Sequence, residues 1–535
     1  MAEIQRLALF TPESLKKELE PKPHAPINRL PDDILSDIFL LGLLDDHADD
    51  EFFEKPQRYQ GLISLVCHWW KDVMEGTPLA WANINVLDHQ PFPITKRFLR
   101  LSGTCLINIA VKWREFTLTG YKVNDMRRLF GLLLPEAQRW QSLRIAVEDH
   151  SLILFVVREL QWVPAPNLRV IWLSYHDVDE QNMAPETAAK CKLFQSPPGA
   201  PLLRDVTLWG AHIDWSSPFL SSNLRKLALC YHDIDFRPEP GRFFEILSSC
   251  SETLEELTLE SSGPIMDWDL WVSTKIELPN LRILKVAFLS AGYAQRMLDI
   301  IVARNVEELT LDFEDSEMHV RKWHAFVKQL CTGGISSKGP MFPALTSLGL
   351  LSLPAESIHL GILLHCHPQI SSLVINFNYV DDNLISQLGI PISINILSLS
   401  SLPKWATTLR SQVAQRQNKS RKGDQTVDEN IRHRGWLCPE LRKLKVYGVS
   451  GEQLRLVVAG RKGGGVPLKE VWYADTCTMQ MADRAWLKAN LEILAEFEDR
   501  EDEDDEDDED DEEGEESEDV EDYEDSEDDE DDEDD

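Results

Sequence analysis

Histidine beside aspartate is the pairing in this chain with most chemical potential, since an imidazole and a carboxylate can shuttle a proton or hold a metal ion. It occurs at Tyr175-His176-Asp177-Val178-Asp179 and at Tyr231-His232-Asp233-Ile234-Asp235, with a shorter echo at His212-Ile213-Asp214. A metal site needs three or four donors converging on one point, and these copies have neither a third donor set nor a fixed spacing. They read as duplicated turns at strand exits. His365-Cys366-His367 fails as a ligand set because alternate residues of a helix point apart. Gly460-Arg461-Lys462-Gly463-Gly464-Gly465-Val466 has the glycines of a phosphate loop but lacks its Gly-Lys-Ser/Thr ending, so it reads as a break between elements. Cys-x-x-Cys, His-Glu-x-x-His and Gly-x-Ser-x-Gly do not occur in the sequence. No catalytic, metal or cofactor site is marked, and the expectation is a binding protein rather than an enzyme.

The elements that would position these residues follow a repeat. The pattern apolar-x-x-apolar-x-apolar starts at Trp140, Leu168, Leu203, Leu224, Leu254, Leu281, Val306, Leu345, Ile370, Ile394, Leu441 and Leu468. Pro166-Asn167-Leu168-Arg169, Pro279-Asn280-Leu281-Arg282 and Pro439-Glu440-Leu441-Arg442 share a preamble. Helical stretches are expected at Gly241–Cys250, Ala291–Ala303, Val320–Cys331 and Glu452–Ala459. A polar insert at about 411–434 explains the longest step, and its Lys419, Arg421 and Lys422 read as solvated charge.

A dozen such motifs in approximate register resemble a divergent leucine-rich-repeat domain, here spanning 87–497. The resemblance implies an α/β solenoid, a horseshoe with strands on its inner face. The Asn or Cys that usually follows the third apolar position is mostly missing; His176, Ala211, His232, Ser262 and Leu289 stand there. Residues between the apolar positions are expected to face the concave side. That exposes Trp172, Trp209 and Trp472 as substrate anchors, over an acidic floor of Glu256, Glu260, Glu308 and Asp312, with Lys443 and Lys445 basic near the end.

Residues 27–86 have a different character. Leu30-Pro31-Asp32-Asp33 starts a helix well, with proline in the first turn and carboxylates at the positive end of the dipole. Ile34, Leu35, Ile38 and Phe39, then Leu62, Leu65, Val66, Trp69 and Trp70, recur at helical spacing. Two short apolar helices cannot enclose a core alone, so part of this surface is expected to meet a partner. With Cys67 and the Thr77-Pro78 and Trp81 exit, the segment resembles an F-box, especially the fungal kind. His68 stands where arginine is common, and Ala80 precedes Trp81. The resemblance implies docking onto a Skp-type adaptor of a cullin–RING ubiquitin ligase through Leu30, Pro31, Ile34, Leu35, Ile38, Phe39, Leu65, Val66, Cys67 and Trp70. An acidic insert, Asp45–Tyr59, lengthens the first connection.

The formal net charge of −37 belongs mostly to one end. Residues 501–535 hold 30 Asp or Glu and no Lys or Arg, leaving 54 basic against 61 acidic residues elsewhere, a net of −7. A tail at 498–535 is expected to be disordered and to contact basic proteins, if anything. Nucleic-acid binding by the body is disfavoured, because no basic, aromatic-interleaved stripe appears. Nine scattered cysteines suggest reduced thiols, hence cytoplasm or nucleus. No apolar run is long enough to span a membrane, and Met1–Leu9 lacks signal-peptide character. The reading is therefore an N-terminal extension (1–26), an F-box (27–86), a repeat domain and an acidic tail, together serving as substrate receptor of a Skp–cullin–F-box ligase with an unknown protein substrate. The alternative is a repeat-based scaffold or acidic-tail chaperone outside ubiquitin ligases.

Overall fold

Parallel strands need a crossover between each pair, and the alternation of strand motifs with helices supplies one repeatedly. The computed structural model describes residues 26–46, 59–113, 122–175, 191–221, 223–267, 270–271, 274–313, 320–333, 339–353, 356–380, 383–391 and 436–498. It is a mixed α/β structure with a sheet of 14 strands, each parallel to its neighbours and taken in chain order. The chain begins with α1 (Asp32–Asp46), α2 (Tyr59–Val66) and α3 (His68–Glu75). Then follow β1 (Asn83–Val86), α4 (Pro93–Leu101), β2 (Ile107–Trp113), α5 (Val123–Leu133), β3 (Trp140–Val147), α6 (His150–Glu159), β4 (Val170–Tyr175), β5 (Asp205–Trp209) and β6 (Lys226–Cys230). The middle comprises α7 (Pro240–Ser249), β7 (Glu256–Glu260), β8 (Ile276–Glu277), β9 (Ile283–Ala287), α8 (Ala291–Ile300), β10 (Ile301–Val302) and β11 (Glu308–Asp312). It continues through α9 (Val320–Thr332), β12 (Ser347–Leu350), α10 (Ser357–Cys366), β13 (Ser372–Asn376) and α11 (Asn383–Leu388). The last elements are β14 (Lys443–Tyr447), α12 (Gly451–Gly463), β15 (Glu470–Ala474), α13 (Met481–Asn490) and β16 (Ile493–Phe497). Strands β8 and β10 pair separately.

Register explains the repeat. Leu143, Ile171, Val206, Leu227, Leu257, Leu284 and Leu309 lie opposite one another across β3, β4, β5, β6, β7, β9 and β11. Leu348, Leu373, Leu444 and Val471 continue the row, and none of the eleven is more than 1% exposed. Burying such a side chain contributes about 1.5–3 kcal/mol. Truncating one, Leu257→Ala for instance, would cost about 2–5 kcal/mol, because the rigid rows on either side cannot close the cavity.

Eleven of the twelve sequence motifs coincide with strands; the one at Ile394 lies outside the described residues. The four expected helical stretches correspond to α7, α8, α9 and α12, except that the one expected over Ala291–Ala303 ends at Ile300 and gives way to β10. Five strands fall outside the twelve motifs: β1 and β2, although Trp81/Ile84/Val86 and Leu106/Ile109/Val111 follow the same pattern, β16, where the third apolar position is Glu496, and the two-residue β8 and β10. Because β1 starts at Asn83, the sheet begins inside the segment assigned to the helical module. The N-terminal extension up to residue 25, most of the Asp45–Tyr59 insert, His176 to Asp179, the 411–434 insert and the tail beyond Glu498 lie outside the described residues. No described helix is long and apolar enough to cross a membrane. All nine cysteines are free thiols, seven of them buried.

Candidate docking surfaces

Helix α1 is apolar on two sides, and the structure uses them differently. Asp33 Oδ1 accepts from the Ile34 amide at 2.9 Å and Asp32 Oδ1 from Trp69 Nε1 at 2.8 Å, fixing the first turn. Leu35, Phe39 and Leu43, spaced by four, are buried at 0%, 1% and 6% exposure. Phe39 packs on Trp70 with ring centroids 5.2 Å apart. Ile34, Ile38 and Leu41 stand out at 44%, 44% and 65% exposure, and on α2 Leu62, Leu65 and Val66 at 62%, 73% and 41%. Pro31 is exposed, while Leu30, Cys67 and Trp70 are half-buried. The Cys67 side chain accepts from the Trp70 amide as the N-cap of α3.

Of the ten residues expected at an adaptor contact, Leu35 and Phe39 therefore need correcting. They face the interior and hold the helices together, so no partner reaches them without opening the module. Leu41 and Leu62 were missed as exposed members, because periodicity alone cannot say which apolar stripe faces inward. Buried polar ties support the arrangement. Gln60 Nε2 donates to the Ala80 carbonyl at 3.0 Å, Trp81 Nε1 to the Met74 carbonyl at 2.8 Å, and the Ser36 and Thr77 hydroxyls meet at 3.0 Å.

The sheet's other face differs from its expected acidic, tryptophan-studded character. Trp172, Trp209 and Trp472 are half-buried, not exposed, and side chains of adjoining strands lie against the indoles of Trp209 and Trp472. Trp209 stacks on Tyr231 at 4.7 Å, and Lys443 Nζ sits 5.2 Å from the Trp472 ring centre. Glu260 and Asp312, last residues of their strands, are buried at 5% and 4% exposure. Glu260 accepts from Lys285 Nζ at 2.6 Å and from the Tyr231 hydroxyl at 3.3 Å. Burial and the Glu260 charge raise the Tyr231 pKa, keeping its hydroxyl a donor. Glu256 pairs with Lys226 at 2.9 Å, leaving Glu308 as the exposed carboxylate of the four.

A polar cavity of about 660 Å³ opens beside the starts of β1 to β7. Its wall carries Arg144, Arg169, Arg204, Arg225 and Lys226 against Asp205, Glu255 and Glu256, so its local sign is positive. Backbone bonds from Arg204 N to Arg169 O (2.9 Å) and from Arg225 N to Arg204 O (2.8 Å) fix three of these arginines on consecutive rungs. The next rungs carry Glu255, Arg282 and Glu307, and the pairs Arg225–Glu255 (3.7 Å) and Arg282–Glu307 (2.6 Å) balance them. Burial raises the Asp205 pKa, an effect opposed by Lys226 and reinforced by Glu256. Sequence reading missed this cluster because its arginines lie 20–35 positions apart, though Arg169, Arg204 and Arg225 each directly precede a strand.

The residues first singled out for chemistry are structural. His232 is 1% exposed, with Nδ1 2.8 Å from Ser262 Oγ, and its ring lies 5.7 Å from that of His212. Burial is the main cause that drives the pKa of His232 down to about 3 and that of His212 to about 4, so both are neutral. Ala211, His232, Ser262 and Leu289, which replace the usual Asn or Cys, all point inward and are buried. His367 Nδ1 lies 2.9 Å from the Leu363 carbonyl, away from any shared ligand point. In the glycine run, Gly460 packs against the Gly389 carbonyl and Gly464 against Trp436, where a Cβ would collide. Arg461, fully buried, donates to the carbonyls of Leu388, Leu437 and Cys438 at 3.3, 3.1 and 2.8 Å. One titratable cluster had no sequence signal beyond a Glu-x-x-His spacing: Glu356 and His359 of the α10 turn, with His324 of α9. No protein-family model matches this chain, and no characterised protein matches it at a significant level.

Proposed function

We propose that this chain is a non-enzymatic substrate receptor of a Skp–cullin–F-box ubiquitin ligase. Helices α1 to α3 serve as the F-box, and the parallel sheet with its helices forms a leucine-rich-repeat-like solenoid that presents a protein substrate. The observation that carries this reading is the pair of exposed apolar rows, Ile34, Ile38 and Leu41 on α1 and Leu62, Leu65 and Val66 on α2. Their spacing of three and four residues is that of helix faces made to be covered by a partner, and a monomer gains nothing from leaving them in water. The adaptor supplies the missing apolar cover, while Leu35, Phe39 and Trp70 keep the helices in position. The chain then contributes proximity between substrate and the charged enzyme, not chemistry. The cationic cavity and the half-buried tryptophans make up the substrate face in this reading.

The test is co-purification with a Skp-type adaptor. Ile38→Asp with Leu65→Asp puts charge into both exposed rows and is expected to abolish the complex. The thermal midpoint of the isolated chain should hardly move, since surface changes stay within about 0.5 kcal/mol. Undiminished adaptor binding by the folded double variant rejects the assignment.

A further inference from the structure

Helices α9 and α10 pack side by side, and three donor groups meet between them. Glu356 is the N-cap of α10, and His359 follows three residues later on the same face. His324 reaches across from α9, its ring centre 3.7 Å from that of His359. His324 Nε2 lies 3.6 Å from Glu356 Oε1, and His359 Nδ1 lies 3.5 Å from Glu356 Oε2. Both of these ring nitrogens are buried without a hydrogen-bond partner, and the His359 side chain is only 7% exposed.

Two imidazoles facing a carboxylate would ordinarily close on it, with hydrogen bonds of about 2.7–3.0 Å. Here both stand off at 3.5–3.6 Å. Donors about 2.1 Å from a tetrahedral zinc ion lie about 3.4 Å from one another, so the stand-off matches the edge of a coordination tetrahedron. We propose that His324, Glu356 and His359 bind a divalent transition-metal ion, zinc by preference, that joins α9 to α10. Two nitrogens and one oxygen disfavour magnesium and calcium, which take oxygen sets. Glu356, 55% exposed, leaves a fourth position open to water.

The lone pairs required are Nε2 of His324 and Nδ1 of His359, so each ring carries its proton on the other nitrogen. The rings now stand 18° from parallel, and coordination requires them to tilt until both lone pairs meet the ion. His324, with 32% of its side chain exposed, has room to turn.

The full-length protein is titrated with zinc chloride by calorimetry, in millimolar magnesium so that isolated carboxylates of the tail are already occupied. One tight equivalent is expected, with a rise in thermal midpoint. His324→Ala and Glu356→Gln should each weaken it by more than about 100-fold, beyond what loss of a supporting partner does to a metal site. Both changes fall on partly exposed side chains, so folding, checked by circular dichroism, is expected to survive. Absence of a tight equivalent in the wild type, or its persistence in both variants, overturns the site.

Discussion

Acidification from pH 6.5 to 5 should destabilise this protein through two buried histidines. His212 and His232 have folded-state pKa values of about 4 and about 3, against 6.5 for an exposed imidazole. Asp233 Oδ2 stands 4.0 Å from His212 Nε2, but its side chain is 59% exposed, so water screens it and burial prevails. Arg237, which donates to the His232 carbonyl at 2.9 Å, adds a further bias against charging that ring. Between pH 6.5 and 5 the unfolded chain takes up protons on both residues and the folded chain does not. Stability is therefore complete above 6.5 and is lost as pH falls. Over about 1.5 pH units, each histidine contributes about 2 kcal/mol, or about 4 kcal/mol together. That is a large part of the 5–15 kcal/mol typical of a folded protein. His359 and His367, also lowered by burial, add to the loss, while Asp205 and Asp299, raised by burial, oppose it. Those contributions cancel when the same chain with His232→Gln is compared across pH. Urea midpoints followed by tryptophan fluorescence at pH 7, 6 and 5 should show the variant losing about 2 kcal/mol less than wild type over the interval. Equal losses in the two proteins would refute the buried, neutral state of His232.

Two further changes probe buried charge. Arg461→Lys removes the planar fork from three carbonyls, of which only that of Cys438 has a second donor, the Leu441 amide at 3.0 Å, and should cost about 2–4 kcal/mol in urea unfolding at neutral pH; an unchanged midpoint would mean that these bonds contribute nothing net. Lys285→Met leaves the 7%-exposed Glu260 carboxylate without its cation, and should cost about 1–3 kcal/mol, the low end reflecting a lysine that is one-third exposed. The simultaneous replacement Glu260→Gln should recover part of that loss; a double variant no more stable than the single one would show that the charge is not at fault.

What the sequence made legible follows from what repeats in it. Leu257, Leu284 and Leu309 recur at one register position because every strand solves the same packing problem, so eleven motifs coincide with eleven strands. The last strand obeys a looser rule. Strand β16 has one neighbour, β15, and tolerates Glu496 opposite Tyr473, where the other strands carry leucine, isoleucine or valine. The open face was read less well because alternation gives direction without surroundings. It placed Trp172, Trp209 and Glu260 on the correct side, but could not show that Tyr231 covers Trp209 or that Lys285 covers Glu260.

The same limit decides how the helical module should be understood. Ile34 and Leu35 are adjacent and nearly alike in hydrophobicity, yet one is 44% exposed and the other 0%. The distinction comes from Phe39 and Trp70, which pack together on the Leu35 side, and from Trp69, whose indole is tied to Asp32. A helix with apolar residues on both sides spends one on its own fold and leaves the other uncovered. Six uncovered aliphatic side chains on α1 and α2 are more than scattered surface leucines require. If each gained even half of its full transfer free energy on burial, about 1 kcal/mol, the set would supply about 6 kcal/mol toward association. Ordering costs oppose that sum, so a stable complex needs most of the set at once. Mutating one row alone should therefore weaken adaptor binding nearly as much as mutating both.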